Sequence, residues 1–568
     1  MKNISTRNEL ADRLGIPRSK LAFVLYKVGV DNYYKTFDIP KKSKGTRHIA
    51  APTRDLKEIQ NLLGKALYEY HESICKKRGT SLNISHAFEK KKSIITNAKI
   101  HRNKKFLINI DLNNFFDSFH FGRVRGFFQT NRDYVMSSEV ATVIAQLTCY
   151  KGKLPQGAPT SPIISNIICQ IFDFRVLQIA KKYKLDYTRY ADDLSFSTND
   201  KKIIDTWSEF YSLLEKEIIN SGFSINHKKT RLQYKDSRQT VTGLVVNKKI
   251  SVNHDYYKNV RAMANSLYTK GSFTIDGKEG NIKQLEGKFA FINQIDKYNN
   301  EIDAELNRGI KHGSRFLCGR ERQYQKLLFY RYFFSNEKPL IVTEGKTDIK
   351  YIKAALKSLY KEYPELVQKT PNGRFEFNIS FLKRSKRMKY FFDFSQDGAS
   401  PMKMLYGYFS GVGSHKPFNY LEYFLNLTGQ YPKNPVIFIF DNEISNKTKP
   451  LHDFVNFASI NDSDKADLKA RLYTKVVKKG NLYVATNPIA PGMKESEIED
   501  LFTSETLGHI INGKRFCRNP DHDNSKFYGK EPFATYIQNN YNTIDFTGFK
   551  SFLNVIRDIV STYDSQVN

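Results

Sequence analysis

Residues 187–198 read YTRYADDLSFST, two β-prone runs that meet at adjacent acids, Asp192 and Asp193. The pattern predicts a hairpin over 186–198 with the acids at its turn. Neighbouring carboxylates repel each other, and an apolar β setting withdraws the water that would screen them. A bound metal, basic side chains or solvent at an exposed turn can each balance the pair. The remaining sequence narrows the choice.

The chain of 568 residues is long enough for about two to four domains with sizeable cores. Its 40% hydrophobic and 26% charged residues are ordinary for a globular protein. The charge balance is not, with 90 Lys and Arg against 58 Asp and Glu and a formal charge of +32. Residues 1–320 hold 55 basic and 31 acidic side chains, and the rest hold 35 and 27. An excess concentrated in one half points to a polyanionic partner, nucleic acid first. Some of the 34 Tyr and 42 Phe belong to cores, and others are available to stack on bases. Cys75, Cys149, Cys169, Cys318 and Cys517 form no CxxC pair, which argues against a disulfide framework or a zinc ribbon and for a reducing compartment. The N-terminus has no apolar leader and no run of 18 apolar residues occurs, so the expected location is cytoplasmic, without a membrane partner.

Residues 1–30 read as helical, and 37–52 as two short strands joined by the basic turn KKSKGTR. KKFLINIDLNNFF (104–116) is a strand with an acid, Asp111, near its end, leading into a helix. KGKLPQGAPTSPIISNIICQIF (151–172) is a Pro/Gly loop that becomes an apolar helix. QTVTGLVVNKKISV (239–252) reads as a further hairpin with Asn-Lys-Lys at its turn, and 255–330 as basic helices. The texture then changes. KPLIVTEGKTDIKYIKAALKSL (338–359) and NPVIFIFDNEIS (434–445) are buried-type strands ending in acids, as in a parallel α/β sheet. The expected boundary lies near 320–337.

Phosphoryl transfer to a 3′-hydroxyl uses two divalent metals about 3.5–4 Å apart, held by hard oxygen ligands. Asp111, Asp192 and Asp193 are such a set. With its neighbours it resembles the reverse transcriptases, and the retron type in particular. YADD (190–193) is similar to that family's catalytic box and NIDLNNFFDSF (109–119) to its first-aspartate box. LPQGAPTSP (154–162) resembles the loop under the incoming nucleotide, and SINHKKT (224–230) the downstream lysine motif. NAKIH (97–101) and VTGLVVN (241–247) resemble two elements of retron enzymes.

This likeness covers residues 20–320 and implies a right-hand polymerase, with fingers and palm over 31–250, a thumb over 251–325 and a helical segment over 1–30. It implies that Asp111, Asp192 and Asp193 are catalytic and bind two Mg2+, Mn2+ being an alternative. Phe116 is then the aromatic that excludes a ribose hydroxyl, and Gln156 and Gly157 lie near nucleotide and template. Lys44 and Arg47 hold the triphosphate of the dNTP, with Lys41 and Lys42 as alternatives, and Lys229 protonates pyrophosphate. Asn97 and His101 are read as RNA or structural contacts, and Thr242 and Gly243 as RNA contacts. Lys258, Arg261, Lys270 and Lys283 are read as contacts to the duplex backbone, in a salt-sensitive way. No RNase H-like acidic cluster is evident, which assigns template removal to a host RNase H.

LIVTEGKTD (340–348) and FIFDNE (438–443) resemble the TOPRIM fold over about 335–540, a Rossmann-like α/β domain followed by helices to residue 568. That resemblance implies a metal site of Glu344, Asp441 and Glu443, binding one or two Mg2+, with Gly345 at a sharp turn. Glu443 departs from the family's Asp. Glu499 and Asp500 in EIEDLF (497–502) are further candidate ligands, and Lys530 a partner for the scissile phosphate. No tyrosine-bearing strand-passage domain or zinc element accompanies it, which favours a nuclease.

The two halves together resemble fused retron proteins. The resemblance implies a cognate structured non-coding RNA as template and primer, a branched RNA–DNA product (msDNA), and antiphage defence through the TOPRIM effector. A homo-oligomer stays open. The alternative is a reverse transcriptase of another class whose second half only binds nucleic acid.

Overall fold

The computed structural model describes residues 4–41, 45–78, 84–306, 317–394, 399–413, 416–489, 492–519 and 521–567. The chain forms two compact units, Met1–His254 and Asp255–Asn568. The helical segment from 255 therefore belongs with the α/β half, and the chain does not divide at the expected 320–337.

In the first unit, α1 (Arg7–Leu14) stops at Gly15, whose φ of +68° turns the chain out of the helix. The helical segment expected over 1–30 is present as short helical pieces, Arg7–Leu14, Arg18–Ala22 and Phe23–Val28. The strands β1 (Tyr34–Pro40) and β2 (Thr46–Pro52) pair antiparallel and lead into α2 (Arg54–Arg78), followed by α3 (Ile94–Ile100). Four strands make the central antiparallel sheet: β3 (Phe106–Asp111), β4 (Asp186–Tyr190), β5 (Asp193–Thr198) and β6 (Arg231–Tyr234), in the order β4-β5-β3-β6. The register sets Asp111 opposite Asp193, so the three acids share one end of the sheet. Between β3 and β4 runs α4 (Ser161–Lys182), with Pro162 in its first turn and Ile163, Ile164, Ile167, Phe172 and Val176 buried in the core. α5 (Trp207–Asn220) follows the hairpin, and β7 (Thr240–Val241) pairs with β8 (Leu244–Val245).

The second unit opens with α6 (His254–Lys270), α7 (Ile282–Leu306) and α8 (Gly319–Phe329). Buried Glu286 on α7 ties these helices to the rest of the unit by ion pairs with Arg331 and Arg387. The sheet is built from β9 (Leu340–Thr343), β10 (Ser380–Phe381), β11 (Val436–Phe440), β12 (Tyr473–Lys475) and β13 (Leu482–Thr486), in the order β10-β9-β11-β13-β12. All neighbours are parallel except the edge pair β12–β13. β9, β11 and β13 are buried along their whole length, because helices cover both faces. On one face Ile437 and Ile439 share a core with α9 (Asp348–Ser358), α12 (Lys530–Asn539) and α13 (Lys550–Val567). On the other, Phe438 meets Phe409 of α10 (Ala399–Ser410) and Phe454 of α11 (Pro450–Phe457). The expected parallel strands with acids at their carboxyl ends are present.

Candidate active site

In the first unit a cleft of about 1210 Å3 is lined by Arg47, Asp111, Phe116, Gln156, Asp192 and Lys229. Asp111, at the end of β3, is buried, and its carboxylate accepts hydrogen bonds from Lys229 Nζ at 2.9 and 3.0 Å and from Asn226 Nδ2 at 2.9 Å. The ammonium expected to serve pyrophosphate thus sits on Asp111. The β4–β5 turn is tight: Tyr190 pairs with Asp193, and Ala191 takes a φ of +56°, a left-handed conformation costly for any residue with a Cβ. Burial raises the pKa of Asp192, and the nearby charge of Asp111 adds to it. Asp193 keeps accessible surface but is packed round by protein; this desolvation, with repulsion from Asp192 and Asp111, pushes it up to about 7.

Beneath the turn, Arg189 is fully buried and grips Asp173 of α4 with two bonds of 2.7 Å. Its Nη1 also donates to the Ala191 carbonyl at 3.3 Å. Gly157 has a φ of +126°, and a Cβ there would lie 2.7 Å from the Ala50 carbonyl oxygen. The Ala50 N–H donates to the Gln156 carbonyl at 2.9 Å, so the 154–157 loop is pinned to the strand that carries Arg47. Phe116 is half-buried with its ring beside Phe115, which takes the core position, and Phe88. Lys44 lies outside the described residues, while Lys41 lines the cleft beside Arg47.

Residues 39–249, within the first unit, match the family described as reverse transcriptase (RNA-dependent DNA polymerase). The retron Ec86 reverse transcriptase of Escherichia coli is 33% identical over 270 residues, 47% of this chain and 78% of the relative. This chain belongs to the retron reverse transcriptases. The retron Mx162 reverse transcriptase of Myxococcus xanthus is 30% identical over 331 residues, 52% of this chain and 65% of that protein. Among solved structures, apo telomerase from Candida tropicalis truncated from its C-terminal domain is 15% identical with a TM-score of 0.30, covering 44% of this chain and 60% of that one. That likeness is too slight to carry an argument.

Several expected contact residues of this retron reverse transcriptase lie elsewhere than the motifs suggest. Asn97 and His101 are fully buried, which excludes direct RNA contact. The His101 ring bridges Ser197 Oγ at 2.8 Å and Thr188 Oγ1 at 2.7 Å, locking α3's end to the hairpin strands. Burial pushes its pKa down to about 3. Thr242 and Gly243, both at positive φ, form the two-residue turn between β7 and β8. The expected Asn-Lys-Lys turn is a second one, closed by Val245 and Ser251. Thr242's hydroxyl is buried, whereas Gly243 is exposed. Lys258 and Arg261 are exposed on α6 in the second unit.

The second unit gathers its own acids where β9 and β11 end. Burial raises Glu344 to about 7, with Asp348 and Glu443 adding repulsion, and one Glu344 oxygen is buried without a partner. Asp441 is pushed well above the carboxylate range by burial and by Asp348, Glu344 and Glu499, while accepting the Ile498 N–H at 2.9 Å. Glu443 is buried against Lys449 at 2.6 Å. Lys530 pairs with Glu499 at 3.1 Å and Glu497 at 3.2 Å. Asp500 turns away to Arg518 at 2.7 Å and caps its own helical turn, so it is a scaffold residue rather than a further ligand. Asp348, absent from the sequence-based set, belongs to the cluster; its place four residues after Glu344 was the available signal. Gly345 is needed for closeness and not for φ: a Cβ would lie 2.6 Å from the Asp348 carboxylate. Arg384 closes the group, donating to the Thr343 and Glu344 carbonyls at 2.7 and 2.6 Å. Among the described residues, no three Asp, Glu, His or Cys side chains converge on one point, so neither acid group is a preassembled metal cage.

Proposed function

We propose that the chain copies a cognate structured RNA into a branched RNA–DNA product, and that its second unit is a TOPRIM-type nuclease controlled by that product in antiphage defence. The observation that carries the polymerase half is the set Asp111, Asp192 and Asp193, brought to one end of a sheet by register, with Asp111 and Asp192 lining a large cleft alongside Arg47 and Gln156. The donor set fits a divalent cation: the oxygens are hard ligands, and burial with mutual repulsion leaves Asp192 and Asp193 short of positive charge. Mg2+, which reverse transcriptases generally use, would polarise the reacting hydroxyl and phosphate there. Arg47 and Lys41 are positioned to take a triphosphate, since an Arg fork matches phosphate oxygens. Phe116 presents a ring that crowds a ribose 2′-hydroxyl and favours dNTPs. Were a cation to take the place of Lys229 on Asp111, the ammonium would be free to meet pyrophosphate.

In the second unit, Glu344, Asp441 and Glu443 would hold the corresponding cation, with Asp348 and Glu499 adjoining and Lys530 facing the scissile phosphate. Support comes from acids at the carboxyl ends of parallel strands, where open α/β sheets bind ligands. The test is a pair of substitutions. Asp192→Asn should abolish DNA synthesis on the cognate RNA and leave RNA binding nearly intact; unchanged synthesis sinks the polymerase assignment. Glu344→Ala should leave synthesis untouched and remove nuclease activity or toxicity. Nucleic acid extracted from the native complex should contain a discrete DNA whose mobility shifts after RNase treatment.

A further inference from the structure

In the second unit, α8, α10 and the segment following α10 enclose a pocket of about 640 Å3 that shares no lining residue with the acidic cluster. Small-molecule sites typically span roughly 300–1,000 Å3. Its lining is strongly basic. Arg322 and Lys326 stand one turn apart on α8, Lys403 comes from α10, and Lys416 from the loop beyond it; Asp393 is the carboxylate among the lining residues. Lys403 is ion-paired with Asp453. Among the described residues no carboxylate pairs with Arg322, Lys326 or Lys416. Lys326 instead rests 3.9 Å from the centre of the Tyr423 ring.

The rest of the lining is aromatic and apolar. Phe418 and Tyr420 have ring centroids 4.9 Å apart, Tyr408 stacks near Tyr420 at 6.2 Å, and Phe457 and Met404 complete the wall. The Phe418 ring is 53% exposed on the pocket wall. Tyr420 is held rigid by donating to buried Gln325 at 2.7 Å.

Two unmet needs coincide here. Three cations line one concavity, and among the described residues none of them is paired with a carboxylate, so an anion of several charges finds its countercharge there. Beside them is the exposed Phe418 ring, tilted 56° against buried Tyr420, which an inorganic anion leaves uncovered. An uncharged aromatic ligand covers the ring and leaves the cations unbalanced. We propose that this pocket binds a nucleoside di- or triphosphate, its base against Phe418 and Tyr420 and its phosphates held by Arg322, Lys326 and Lys416. This rests on neither the polymerase nor the nuclease reading.

The test is photolabelling of the full-length protein with 8-azido-ATP in EDTA, followed by peptide mapping. Label is expected within residues 400–423, displaced by ATP and about tenfold less well by adenosine or by pyrophosphate. Arg322→Glu should cut that labelling about tenfold with an unchanged thermal melt, and Phe418→Ala, an exposed position that does not bear on folding, should also reduce it. Label confined to cleft peptides of the first unit overturns the proposal, as does adenosine competing as well as ATP. Displacement by a single-stranded oligonucleotide at lower concentration than ATP also overturns it, assigning the surface to a nucleic-acid strand.

Discussion

Replacing Arg189 with methionine tests how the acidic hairpin is held. Arg189 is fully buried, and the Asp173 side chain it grips is only 5% exposed. Without the guanidinium, Asp173 keeps, among the described residues, only the Tyr187 hydroxyl at 3.1 Å as a side-chain donor, and a buried carboxylate is left uncompensated. Breaking one side of such a pair costs about 3–5 kcal/mol, a large fraction of the stability of a typical domain. The bonds from Arg189 to the Ala191 carbonyl and to Asn166, each 3.3 Å, are lost as well. The single tryptophan, Trp207 on α5, lies in the same unit, so its fluorescence in urea reports this unit alone. The expected result is a lower midpoint at constant slope. The double variant Arg189→Met with Asp173→Leu should recover most of the loss, because an apolar pair of similar volume needs no compensation. It should still synthesise DNA slowly, since Ala191 at positive φ no longer has its anchor. A single-variant loss below about 1 kcal/mol, or a double variant no more stable than the single, refutes the reasoning.

His101 predicts a pH dependence. Its folded pKa of about 3 lies below the unfolded value, so between those values the unfolded chain binds a proton that the folded chain does not, and stability falls on acidification. From pH 7 to 5 that contribution is about 2 kcal/mol; the urea stability gap between wild type and His101→Gln should narrow by that amount, and an equal gap at both pH values refutes the burial argument. Gly157→Ala places a Cβ 2.7 Å from a carbonyl oxygen at a φ of +126°, for a strain of about 1–3 kcal/mol. The loop should lift from β2 and raise the KM for dNTP in steady-state synthesis; an unchanged KM separates the loop from nucleotide binding.

The strands that carry acids were legible because their signals are local. Continuous apolar runs ending in Asp or Glu mark β3, β9 and β11, and a β-prone repeat folding back on two acids marks the β4–β5 hairpin. What escaped depends on partners distant in sequence. Asn97 and His101 look like ligands by residue type, yet Thr188 and Ser197 enclose His101 from 87 and 96 positions away. Lys229 reads as a free cation until Asp111, 118 positions earlier, is seen to hold it. Arg189 next to the acids suggested nothing, since its partner Asp173 lies on another element. The helical reading of 1–30 was legible in its apolar spacing, but the break at Gly15 that divides it into pieces was not read from that spacing.

The three ways of balancing Asp192 and Asp193 can now be weighed. Solvation alone does not balance the pair: Asp193 keeps accessible surface, yet desolvation and the neighbouring carboxylates still push both acids upward. Basic side chains do not suffice either. Lys229 is committed to Asp111, and the favourable charges of Lys229 and Arg47 leave Asp192 still raised. The large positive charge of the whole chain does not help, because screening confines it to a Debye length of about 8–10 Å. The second cluster repeats the pattern, with Lys530 and Lys449 engaged and Glu344, Asp348 and Asp441 still raised. In both clusters the available lysines are spent on one or two acids, and the remaining acids stay raised, which leaves room for a charge the protein does not itself supply. A divalent cation delivered with an anionic substrate would meet that need at both proposed sites.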